Sequence, residues 1–270
     1  MDKPNLVFSS LLGTVGFIVG SLVFTFGRQD PPASPQPAIQ PTASDGLASA
    51  SAAPVALTDE QVITRFHQIW YDTPTTWPKN RWWGIPTMQN PLDSWITQEI
   101  ISETKPDIFV ECGSFHGGSA ALWAMVLSQV NPGGRVISID IEDKMAEARK
   151  LPIVRERVEF LVGSSTAPEI VAKVKQRVQG KRVLVLLDSD HRKAHVLNEL
   201  KAYSPLVQVG DYLIVQDTNI NNHPVNARFG PGPWEAVEEF LRDNRAFRMQ
   251  RSRERLLMTF APRGYLKRVQ

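Results

Sequence analysis

The chain has 270 residues, 42% of them hydrophobic and 21% charged, enough for one sizeable α/β domain with additions or for two small domains. Its formal net charge of +2 argues neither for nor against nucleic acid, and no nucleic acid is counted among the expected partners. A single cysteine, Cys112, excludes an internal disulfide and a cysteine-rich zinc site.

After a tail of residues 1–5, residues 6–26 read LVFSSLLGTVGFIVGSLVFTF without a charged side chain. At ~1.5 Å per helical residue this spans ~30 Å, the hydrocarbon depth of a bilayer, so a single-pass transmembrane anchor is expected. Cleavage as a signal peptide fits less well, because Gly27-Arg28-Gln29-Asp30 follows and the small residues of 48–53 lie too far downstream. Gly16 and Gly20 form a G-x-x-x-G pair, the spacing at which membrane helices pair, so a homo-oligomer is compatible with the sequence. Residues 27–57 are rich in proline, alanine, serine and glutamine, with no apolar periodicity; they read as a tether.

Residues 58–105 read as a helical cap region. Thr58 with Gln61 three residues on is a capping box, and Val62, Phe66, Ile69 and Trp70 make a helical apolar stripe. Trp77, Trp82 and Trp83 follow beside prolines, and then a second helix over residues 92–102.

From residue 106 to the end, short apolar runs alternate with amphipathic stretches. The runs are residues 108–112, 135–141, 158–162, 183–187 and 212–215, and the stretches between them are 120–130, 145–150, 168–178 and 194–203. This alternation predicts an α/β fold with a mostly parallel, Rossmann-like sheet covered on both faces. Residues 247–251 and 256–260 are expected to add strands at one edge, one of them antiparallel. The arginine-rich tail from Arg242 to Arg268 reads as a solvated face, with an anionic membrane surface as the alternative.

Ligands of such sheets sit at the carboxyl ends of the strands. The first strand ends in Glu111-Cys112-Gly113-Ser114-Phe115-His116-Gly117-Gly118-Ser119, a glycine-rich turn into a helix that lacks the G-x-G-x-x-G spacing of dinucleotide sites. An acidic residue before such a turn suits S-adenosylmethionine, with Glu111, Gly113, Ser114, His116, Gly117 and Ser119 as candidate cofactor contacts. Asp140, 27 residues after Gly113, is placed to accept ribose hydroxyls, and Gly163-Ser164-Ser165 to meet the adenine edge. The fourth strand delivers Asp188 and Asp190, and the fifth Gln216-Asp217. Converging oxygens there suit a hard divalent cation such as Mg²⁺.

The pieces 111–119, Leu187-Asp188-Ser189-Asp190-His191, 194–207, Asp217-Thr218-Asn219, Phe229-Gly230-Pro231-Gly232-Pro233 and 235–241 together resemble the cephalosporin hydroxylase and rhamnosyl O-methyltransferase family. The likeness runs from about residue 82 to residue 265. It implies a class I S-adenosylmethionine-dependent O-methyltransferase with a metal site held by Asp190, Gln216 and Asp217. The family usually has glutamate where this chain has Gln216, which removes a negative charge. Asp188 is then either a cofactor-side neighbour of the metal or, one register over, its ligand.

The implied reaction is methyl transfer to a hydroxyl of a sugar, a glycolipid or a related small molecule. His191 is the preferred base and Lys193 the second candidate. Trp82-Trp83 and the loop 221–233 are the expected acceptor walls. A non-catalytic, membrane-tethered binding module is the alternative, supported by Gln216. An oxidative role finds no His-His-carboxylate spacing for iron. Lys3 and Arg28 leave orientation nearly balanced under the positive-inside rule, and the cytosolic supply of the cofactor sets the expectation of a cytoplasmic domain.

Overall fold

The computed structural model describes residues 56–270. The expected anchor, residues 6–26, lies outside the described residues, as does nearly all of the expected tether. Among the described residues no helix is long and apolar enough to cross a membrane.

Helix α1, Asp59–Asp72, starts at the expected capping box: Thr58 Oγ1 accepts from the Gln61 N–H, and the Gln61 side chain accepts from the Thr58 N–H. A two-stranded antiparallel ribbon of β1 (Arg81–Trp82) and β2 (Ile85–Pro86) follows, then α2, Pro91–Thr104, capped by Asn90. The main sheet is built from β3 (Ile108–Cys112), β4 (Arg135–Asp140), β5 (Val158–Val162), β6 (Val183–Leu187), β7 (Tyr212–Val215), β8 (Phe247–Met249) and β9 (Tyr265–Arg268). Between them run α3 (Gly118–Val130), α4 (Pro152–Arg157), α5 (Pro168–Arg177), α6 (Lys193–Tyr203) and α7 (Pro233–Asp243).

The order across the sheet is β5-β4-β3-β6-β7-β9-β8, parallel from β5 to β7, with β9 antiparallel to both its neighbours. The expected mostly parallel α/β sheet is therefore present, with two corrections at its end. The antiparallel strand sits one place in from the edge, because β9 returns between β7 and β8. Residues 256–260 are not a strand. They form a loop in which Met258 and Phe260 are buried and Leu257 is exposed, fastened where the carboxylate of Asp93 on α2 accepts from the Phe260 N–H and the Thr259 hydroxyl.

Strands β3, β6 and β7 are buried on both faces, as the unbroken apolar runs of β6 and β7 require, while β3 buries Glu111 among its apolar residues. One core packs Val110, Val185 and Leu213 against α5, α6 and α7; the other packs Phe109, Leu184 and Ile214 against α2 and α3. With the middle of the sheet thus closed, its carboxyl ends are left to form a site.

Candidate active site

A cavity of about 640 Å³ lies over the carboxyl ends of β3 to β7. Gly113, Asp140, Ile141, Gly163, Ser164 and Ser165 border one part of it, and Asp188, His191 and Asp217 the other. Elements before β3 close the cavity with Tyr71, Trp77, Met88 and Gln89.

The glycine turn is tightly constrained. Gly113 has φ +104°, and a Cβ there would fall 1.9 Å from the Asp188 carbonyl oxygen. Only glycine lets the loop after β3 lie against the end of β6. Phe115 donates its N–H to Asp140 Oδ2 at 2.7 Å, and the Glu142 N–H reaches Asp140 Oδ1 at 3.1 Å. The carboxylate at the end of β4 is thereby oriented by backbone on both sides while still lining the cavity.

Several expected cofactor contacts lie elsewhere. Glu111 is fully buried beneath the turn, where Trp123 Nε1 donates to Oε1 and the Ser138 hydroxyl to Oε2. Burial pushes its carboxyl up to about 7, against the pull of those hydrogen bonds. Ser114 is likewise buried, sharing a hydrogen bond with Ser138. Gly117, at φ +82°, starts α3, and His116 packs edge-on against Phe115; neither borders the cavity. Ser119 does border it.

At the other end, one ligand atom each from Asp188, His191 and Asp217 lie within 4.8 Å of one another. His191 Nε2 is 3.6 Å from Asp217 Oδ2. Asp217 holds a left-handed φ of +54°, an uncommon backbone state that aspartate tolerates better than most residues. Gln89 Nε2 donates to Asp188 Oδ2 at 2.6 Å. Burial, and after it the charge of Asp217, push the Asp188 carboxyl well above the usual carboxylate range. Two carboxylates that resist joint ionisation, beside an imidazole, are a donor set that a divalent cation relieves.

That set differs from the expected one. Asp190 borders the cavity, but its oxygens accept from the Arg192 N–H at 2.9 Å and from Arg192 Nη1 at 3.1 Å, which turns the start of α6. Gln216 is buried, its Nε2 has no partner, and it does not border the cavity. Both aspartates after β6 border the cavity, and Asp188 is the one whose carboxylate comes together with His191 and Asp217.

Lys193 does not join the cluster: its Nζ pairs with Glu239 at 2.7 Å across α6 and α7, and it does not border the cavity. Trp82 and Trp83 stack on each other at 6.1 Å, and neither they nor the loop 221–233 border the cavity. The aromatic wall comes instead from Tyr71 and Trp77, which pack together at 5.5 Å. Sequence reasoning also passed over Gln89, a polar residue with no motif around it, and the pocket-facing position of His195.

A family model for rhamnosyl O-methyltransferase/CmcI matches residues 74–269. The chain belongs to the rhamnosyl O-methyltransferase/CmcI family. Membership makes it an S-adenosylmethionine-dependent O-methyltransferase. The rhamnosyl O-methyltransferase of Mycobacterium tuberculosis is 38% identical over 219 residues, covering 77% of this chain and 86% of the relative. That of Mycobacterium leprae is 36% identical over 215 residues, covering 77% and 91%. Among solved structures, CmcI with Mg and SAM superposes with a TM-score of 0.55 at 20% identity, covering 75% of this chain and 84% of that one, which shows the shared fold.

Proposed function

We propose that this family member transfers the methyl group of S-adenosylmethionine to a hydroxyl of a rhamnosyl-type sugar, with a divalent cation held by Asp188 and Asp217. The observation that carries this reading is the single cavity bordered both by Gly113 and Asp140 and by the Asp188–His191–Asp217 cluster. Gly113 admits the cofactor's amino-acid end close to the backbone, and the fixed Asp140 carboxylate accepts the ribose hydroxyls. The mycobacterial relatives are named for a rhamnosyl acceptor, and the wall of Tyr71 and Trp77 offers a sugar's apolar face the flat surface it needs.

When bound, the cation would lower the pKa of the acceptor hydroxyl. The chain's own residues do the rest. Gln89 holds the Asp188 carboxylate in place. His191 is the group of the cluster suited to taking the hydroxyl proton, and the carboxylate of Asp217 beside it stabilises the imidazolium that results. The Tyr71 and Trp77 wall keeps the acceptor in line with the methyl group, so much of the rate comes from positioning.

Labelled S-adenosylmethionine and rhamnosyl acceptors test the reading. Wild type is expected to label the acceptor, a chelator to stop it, and Asp217→Ala to cut turnover by about 100-fold or more. Asp217→Ala should leave affinity for S-adenosylhomocysteine within a few-fold. Full turnover in Asp217→Ala, or in chelator, would overturn the metal-assisted part.

The uncharged segment 6–26 supports a further part of the proposal: an anchor that holds the enzyme at a membrane, with the catalytic domain on the cytoplasmic side and a glycolipid within its reach. Alkaline extraction of membranes should retain the full chain and release a form starting at residue 56. Release of both would remove the anchor from the account.

A further inference from the structure

The cavity has a third chemical grouping that the proposed reaction leaves unused. Glu199 of α6 is fully buried, and its Oε1 accepts from the Ser165 hydroxyl at 2.5 Å and the Ser189 hydroxyl at 2.6 Å. His195, one turn earlier on α6, places Nε2 3.1 Å from Ser165 Oγ and 3.4 Å from Glu199 Oε1. Ser165, Ser189 and His195 all border the cavity. Glu199 thus ties the loop after β5 to the loop after β6 and holds an imidazole between them.

The tautomer of that imidazole follows from counting protons. A serine hydroxyl has one proton, and Ser165 gives it to the Glu199 carboxylate. Toward His195 the Ser165 oxygen can only accept, so Nε2 is the nitrogen that carries hydrogen. In the neutral ring Nδ1 is then bare and acts as an acceptor.

The sheet order says which part of the cofactor meets it. Strands lie ~4.8 Å apart, and β5, β4, β3, β6 and β7 stand side by side. The methyl group must face the acceptor at the ends of β6 and β7, and the ribose lies at Asp140 on β4. The base therefore extends to the β5 side, toward Gly163, Ser164 and Ser165, where His195 closes the cavity.

We propose that His195 is the residue by which this cavity selects adenine among purines, and that Glu199 is the positioning residue that fixes its tautomer. A bare Nδ1 accepts a hydrogen bond from the 6-amino group of adenine. The 6-oxo group of hypoxanthine would oppose one lone pair with another. This rests on the cofactor reading above and adds a determinant of its specificity.

Calorimetry on the full chain with S-adenosylhomocysteine and S-inosylhomocysteine tests it. The measurement is made across about pH 7 to 9, because the Glu199 hydrogen bond raises the ring's pKa above the ordinary histidine value and only the neutral ring offers a bare Nδ1. Wild type is expected to prefer the adenosyl ligand by about 10-fold or more. His195→Ala should bring the ratio to about 1 by weakening the adenosyl ligand alone. Glu199→Gln should narrow the ratio in the same direction; should that buried variant not fold, His195→Ala and His195→Phe carry the test. Binding of both ligands with the wild-type ratio intact in His195→Ala would overturn the proposal and leave the cofactor reading standing. Failure of wild type to bind either ligand would overturn both.

Discussion

At Asp217 a left-handed backbone turns the first carboxylate after β7 into the cavity, and at Asp188 the end of β6 does the same without strain. Neighbours that look alike in sequence take different parts. His191 borders the cavity beside Asp217, whereas Lys193, two residues on, is committed to Glu239. His191→Ala should lower kcat by about 100-fold while shifting cation affinity only a few-fold. Lys193→Ala should leave kcat within about 2-fold, since its Nζ is paired with Glu239 and does not border the cavity. Steady-state kinetics with both variants checks the contrast; equal losses would reinstate lysine as a participant. Glu111 supplies a pH signature. Its carboxyl sits near 7 in the folded protein, above the ordinary value of 4.5, so the folded state binds its proton more tightly than the unfolded one. The stabilisation is complete below about pH 4.5 and is lost as pH rises through about 7. Melting temperatures of Glu111→Gln should accordingly fall less steeply than those of wild type across that window.

At the scale of elements, the parallel strands were legible because unbroken apolar runs such as Val183–Leu187 serve a sheet buried on both faces. β9 was not, because Tyr265–Arg268 is two apolar residues followed by two basic ones, without strand alternation, and reads as tail, while the more apolar residues 256–260 draw attention as a strand. What holds that loop instead is Asp93, fully buried on α2, which accepts from Asn90, Thr259, Phe260 and Tyr265; four donors scattered over 175 positions of sequence leave no local pattern. The site divides in the same way. Gly113 and Asp140 announce themselves by spacing, but which of Asp188 and Asp190, two residues apart, comes together with His191 and Asp217 depends on where β6 stops, which apolar patterning does not resolve. The N-terminal elements contribute Tyr71, Trp77 and Gln89 to the cavity, a role visible only once α1 and the ribbon are folded against the sheet. Trp77→Ala should raise KM for the sugar acceptor by about 10-fold while leaving the affinity for S-adenosylhomocysteine unchanged. A matching loss of cofactor affinity would show that the tryptophan supports the fold rather than the acceptor.

Over the whole molecule, four of the nine basic side chains between Arg242 and Arg268 are paired with carboxylates, Arg251 with its neighbour Glu254. Arg253 meets Glu103, Arg255 meets Glu99, and Arg263 meets Glu238 at 2.8 Å. These pairs draw α2, α7 and the loop before β9 together, which favours the solvated-face reading of the tail over a free cationic patch for lipid. The sheet's linear order organises the proposed site: Gly113, Asp140 and Ser165 border the cavity on the β5, β4 and β3 side, and the carboxylates of Asp188 and Asp217 on the β6 and β7 side. The two halves must therefore act on neighbouring atoms. Nuclear relaxation of S-adenosylmethionine carrying a ¹³C-labelled methyl group, bound to the enzyme in the presence of Mn²⁺, tests this most directly. The account predicts strong paramagnetic broadening of the methyl signal in wild type and its disappearance when Asp188 and Asp217 are both changed to alanine. A bound cofactor whose methyl signal stays sharp in wild type beside saturating Mn²⁺ would contradict it.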